Sequence, residues 1–106
     1  MLSPEIAREY GLIRSRNRAM LNVSVIQEMK DSLGKPVEAE VRASTTNIIG
    51  QQRRLNMREI REGDAIYYIA DFLVRNEETL NFHIDVKPEG NATWIPATFS
   101  QQFYTN

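Results

Sequence analysis

Ten of the thirteen cationic side chains in this 106-residue chain are arginines, and they are unevenly placed. Arg14, Arg16 and Arg18 alternate, so an extended backbone projects all three from one face at spacings of about 6.5–7 Å. Arg53, Arg54, Arg58 and Arg61 form a second basic run. A guanidinium is a planar fork that grips carboxylate or phosphate through two parallel N–H donors. The chemistry suggested is recognition of an anionic ligand or an acidic protein surface, with Arg14, Arg16, Arg18, Arg53 and Arg54 as the candidate binding residues. The competing account is internal. Residues 1–61 hold 11 cations against 7 acids, and residues 62–106 hold 2 against 7. The basic half can therefore pair with the acidic C-terminal strands of its own domain, and charge exposed on a sheet is usually solvated or loosely paired.

A hydrolytic or metal chemistry would have to centre on His83, the single histidine. Asp85 follows two residues later and shares its face in a strand, the arrangement that orients an imidazole for proton transfer. A surface pair looks the same in sequence, and no serine stands in a nucleophile-elbow context. Met20, Met29 and Met57 would supply soft ligands beside His83 for copper, although methionines between strand residues more commonly fill core gaps. With no cysteine, a disulfide framework, a thiolate zinc site and a thiol nucleophile are excluded. The reading is therefore of a non-catalytic protein with no cofactor and no metal, and a small hydrolase or metal-handling protein built on His83 is the alternative. Nucleic acid is a poor partner for a chain of net charge −1 with no recognisable nucleic-acid module. No apolar run is long enough to span a bilayer.

The elements that must position these groups change period near Gly11. Ser3 as cap, Pro4 at the first helical position and Gly11 as terminator predict one short helix ending at Tyr10. Beyond it the apolar residues alternate. A first strand runs from roughly Arg18 to Glu28, and Val37, Ala39, Val41 and Ala43 mark a second. A polar connection through Asn47 and Gly50 leads to a weaker strand around Leu55 and Met57. Glu62-Gly63-Asp64 turns into the most apolar strand, where Ile66, Tyr68, Ala70, Phe72 and Val74 form one face. Tyr67 and Ile69 start the other face, so this strand is expected to be central with its second side partly covered. Leu80 to Val86 and Ile95 to Phe103 complete six strands, and Pro96 puts the last at an edge or a bulge. The expected architecture is a single domain over residues 1–106. It is an all-β, immunoglobulin-like antiparallel sandwich of about six strands with one short N-terminal helix. A closed barrel has the same periodicity.

Two stretches carry a family resemblance: Pro4 to Ala7 with Tyr10 to Ala19, and Gly50 to Arg53 with Arg58 to Tyr68. They resemble a family of small gammaproteobacterial proteins of unknown function. The resemblance implies an exported, periplasmic β-sandwich and supplies no activity or catalytic residues. It also implies a signal sequence and another strand upstream of the Pro4-Glu5 stretch, so a chain starting at Met1 is expected to be either a truncated product or a sandwich short of its first strand. The expected role is a binding or protein-interaction module of the bacterial cell envelope, whose uncovered sheet edge invites pairing with a second copy.

Overall fold

The computed structural model describes residues 17–28 and 34–105. The helix expected up to Tyr10, and Arg14, Arg16 and Met29, lie outside them. The described chain forms nine strands: β1 (Arg18–Val23), β2 (Ile26–Gln27), β3 (Lys35–Pro36), β4 (Ala39–Asn47), β5 (Gln52–Leu55), β6 (Arg58–Glu62), β7 (Ala65–Leu73), β8 (Glu78–Pro88) and β9 (Ile95–Phe103). All pairings are antiparallel, in a three-stranded sheet β1-β7-β6, a four-stranded sheet β5-β4-β8-β9 and a small β2-β3 ladder.

The all-β expectation holds, with two differences in the strands. The first strand does not run on to Glu28 but ends at Val23, and Ile26–Gln27 pairs separately with Lys35–Pro36. The weak strand around Leu55 and Met57 is two elements, β5 and β6, in different sheets and joined only by Asn56 and Met57. The chain thus crosses from one layer to the other at one side of the molecule, as strands do where a corner joins two sheets. Finally, β7 is central in its sheet, as expected, and Ile69 on its outward face is fully buried, together with Ile60 opposite Tyr67.

One core lies between the two larger sheets. It combines Leu21 of β1, Ala70 and Phe72 of β7 and Val74 just after it with Ala43, Leu55, Leu80, Phe82 and Ile84 from the facing sheet. The alternation of oily and polar residues makes this possible, because every second side chain of a strand points inward. Four rings lock the centre. Phe82 stacks on Phe99 at 4.6 Å and meets Phe72 edge-on at 5.6 Å, and Phe103 sits edge-on to both Phe72 and Phe82.

The β7–β8 turn stores local strain. Glu77 has φ +63°, a left-handed conformation that costs an L-residue with a Cβ roughly 1–2 kcal/mol. The turn is held there because Glu77 O accepts from Gln102 Nε2 at 3.0 Å and Asn76 Oδ1 accepts from Thr105 N at 3.1 Å. Both bonds tie the turn to the end of β9. Glu77→Gly keeps the backbone acceptor and removes the Cβ, so it should raise stability by up to about 1 kcal/mol in urea titration.

Candidate functional site

The candidate arginines go to three different places. Arg18 opens β1 and is bound within the domain: Nε and Nη2 both lie 3.0 Å from Asp71 Oδ2 of β7, with both side chains half-buried or better. The internal-pairing account is correct for this residue. Arg53 lies at one end of the sandwich, and its Nη1 reaches Leu73 O at 3.4 Å. Arg54, next along the strand, points to the opposite face of β5, since successive strand residues alternate. Arg61, from the second basic run, is also committed, to Glu38 and Glu59.

Arg54 is the member that meets other chemistry. In the ladder it stands opposite Ser44, which stands opposite His83, which stands opposite Thr98. One row across the outer face of the four-stranded sheet is therefore Arg54, Ser44, His83 and Thr98. The neighbouring row aligns Arg42 with Asp85. Arg42 lays its guanidinium over the ring of Trp94, 4.3 Å from the ring centroid, a contact that attracts through the ring's negative face and holds the long side chain in place. Gln52 Nε2 donates to Ser44 Oγ at 3.5 Å.

These residues border a groove of about 530 Å³, with Arg42, Arg54, His83, Asp85 and Asn56 at its polar side and Leu55 and Met57 at its floor. The groove exists because β5 ends at Leu55 while β4 begins at Ala39. Beyond Ala43, the last β4 residue paired with β5, the edge of β4 is left open. Two cations and an imidazole face one carboxylate there. Among the described residues no ion pair joins Arg42 or Arg54 to an acid, and no hydrogen bond links the His83 and Asp85 side chains. Both donor forks are available to a ligand. Trp94 supports one of them.

Two other features were not visible in sequence. The connection between β4 and β5 is not simply polar, because Ile48 and Ile49 at its tip are 84% and 74% exposed. Asn47 fixes that tip, since its Oδ1 accepts from the N–H groups of Ile49 and Gln51 and its Nδ2 donates to Gln51 Oε1. The second feature is Tyr68, whose buried hydroxyl bridges two sheets by accepting from Ala39 N at 2.8 Å and donating to Glu59 Oε1 at 3.2 Å. Among the described residues no three His, Asp or Glu side chains converge to hold a metal, and no helix is long and apolar enough to cross a membrane.

The model of a domain of unknown function, DUF4426, matches residues 1–106. A crystal structure of a DUF4426 family protein from the gammaproteobacterium Pseudomonas aeruginosa PAO1 superposes with a TM-score of 0.82 at 32% identity, covering 99% of this chain and 80% of that one. A search of curated proteins gives no match. The family resemblance read in the sequence is thus shown over the whole chain.

Proposed function

The chain belongs to the DUF4426 family, and within that family we propose that it acts as a non-catalytic binding module of the bacterial cell envelope. It captures an anionic group, a carboxylate or phosphate, in the groove where β5 ends. The observation that supports this reading most directly is the pair Arg42 and Arg54. They border one groove with His83, and neither is neutralised by an ion pair among the described residues. Arg42 is held in position by Trp94, so less side-chain entropy is lost when it takes a ligand. The open form of the site favours binding over turnover, because among the described residues no hydrogen bond joins His83 to Ser44 or Asp85 to activate a nucleophile. An exported, periplasmic location, as the family resemblance implies, and self-association through an open sheet edge belong to the same reading.

The test is a solution NMR titration with two probes, inorganic phosphate and a poly-glutamate peptide. Saturable shifts at Arg42, Arg54 and His83 are expected with at least one. The double variant Arg42→Ala/Arg54→Ala should weaken that binding by about tenfold or more per lost charged hydrogen bond, at roughly 1.5–3 kcal/mol each. Its thermal midpoint should stay nearly unchanged, because both residues are exposed. An absence of saturable shifts with both probes overturns the anion reading.

A further inference from the structure

We propose that the open side of this sandwich is closed by a second copy of the chain, with β9 of each copy seated beside β1 of the other. This rests on the self-association reading above and names its surfaces. The direct β5–β6 crossing puts the edges β5 and β6 on the same side of the molecule. Counting from that side, β4 lies across from β7, as the Tyr68–Ala39 hydrogen bond shows. Next β8 lies across from β1, and among the described residues β9 has no strand opposite it. The exposures agree. Ile95, Ala97 and Phe99 point to the core side, yet Ile95 is 50% and Phe99 41% exposed, while Phe82, on which Phe99 stacks, is 2% exposed. Among the described residues β9 and β1 are also the open edges of their sheets on that side.

A strand laid beside β1 would cover the bare face of β9. The partner's β9 fits in direction and charge, pairing along the six residues of β1, with Pro96 the one position that has no N–H to donate. Tyr68 contacts Ala39, and Leu73 contacts Arg53, whose ladder partner is Thr45, so β7 and β4 run in the same direction. It follows that β9 runs with β7, and β1 runs against both. A two-fold axis parallel to the strands, between the layers, exchanges the layers and keeps strand direction. It brings the partner's β9 antiparallel to β1, sets the two β9 faces against each other, and pairs β9 with the partner's β1. Two seven-stranded layers result, and both edges and both bare faces are covered by one isologous contact. Charge agrees: Ile95 to Phe103 holds no ionisable side chain, and none of the charged residues that usually guard an edge strand. A nine-residue strand is about 30 Å long, and edge plus face over that length in both copies buries on the order of 1,000 Å² or more, the size at which an interface becomes specific.

Sedimentation over a concentration series tests the assembly, and cross-linking tests its geometry. The axis sets Ala97 opposite the partner's Ala97, and the chain has no other cysteine to confuse the result. Ala97→Cys should join two copies through a short bis-maleimide, and Arg54→Cys on the outer face should not. Phe99→Lys should give a monomer with an unaltered circular dichroism spectrum. A wild-type monomer at every concentration overturns self-association itself and leaves the slot to another strand, such as the further chain present in the longer Pseudomonas relative. A dimer that survives Phe99→Lys, or that cross-links through Arg54→Cys alone, overturns these edges while self-association stands. Should Phe99→Lys misfold, the Ala97→Cys result decides by itself.

Discussion

Phe82→Ala is expected to lower the free energy of unfolding by about 3–5 kcal/mol, measured by urea denaturation. Phe82 is 2% exposed and touches three other rings, Phe72 and Phe103 edge-on and Phe99 face to face. Deleting it forfeits the transfer energy of a whole ring. It also opens a cavity at the one point where rings from β7, β8 and β9 meet, so no single strand can move in to fill it. A domain of this size has only roughly 5–15 kcal/mol to lose, so the variant should sit near the edge of folding at 37 °C. Phe99→Ala provides the contrast. Its ring is 41% exposed, so in the monomer the substitution removes less buried surface and should cost less than half as much. The same ring should matter far more to assembly. The pair of substitutions therefore separates the centre of the core from its uncovered margin.

The strands that pack against this core were legible from alternation alone. β7 and β8 read correctly residue by residue because each is long and half-buried, so a two-residue period has room to show itself. β6 was missed. Arg58-Glu59-Ile60-Arg61-Glu62 has a single apolar residue among four charged ones, and no periodicity can be read from one point. Yet Ile60 is fully buried, although it faces outward from the three-stranded sheet and not into the central core. The crossing from β5 to β6 was hidden for a related reason: Leu55 and Met57 have the spacing of one strand face, and the change of sheet lies between them.

The site was partly legible in residue type and not at all in placement. Of the arginines singled out by residue type, Arg54 lies in the groove. Arg42, which completes it, is 12 positions earlier in the chain, and His83 is 29 positions later. They share a face only because β4 lies between β5 and β8, and strand order is a tertiary fact that local pattern does not encode. Arg18 shows the converse. It had the alternation of a binding face, and Asp71, 53 residues away, claims it.

Tyr68→Phe removes one atom and should cost about 1–3 kcal/mol, the penalty of leaving a buried donor unsatisfied. The Tyr68 hydroxyl is the acceptor for Ala39 N–H at the start of β4 and the donor to Glu59 of β6, so a single oxygen joins the two layers on the closed side. The substitution also carries a pH signature. Burial is the main cause that holds the Tyr68 phenol above its ordinary value of 10.0, and the Glu59 carboxylate pushes the same way, against the Ala39 bond. The neutral hydroxyl is therefore the form that the fold favours. Below the ordinary tyrosine value both folded and unfolded chains hold this proton, and its contribution is fully present. Above it the unfolded chain releases the proton first, so the unfolded state binds fewer protons and stability falls as pH rises through the folded value. Urea midpoints from neutral pH upward should decline for the wild type once the ordinary value is passed, and decline less steeply for Tyr68→Phe. The other tyrosines titrate in both proteins and cancel in the difference. Parallel curves would show that the hydroxyl is not held neutral between the sheets, and a variant as stable as the wild type at neutral pH would show that Ala39 N–H finds another acceptor.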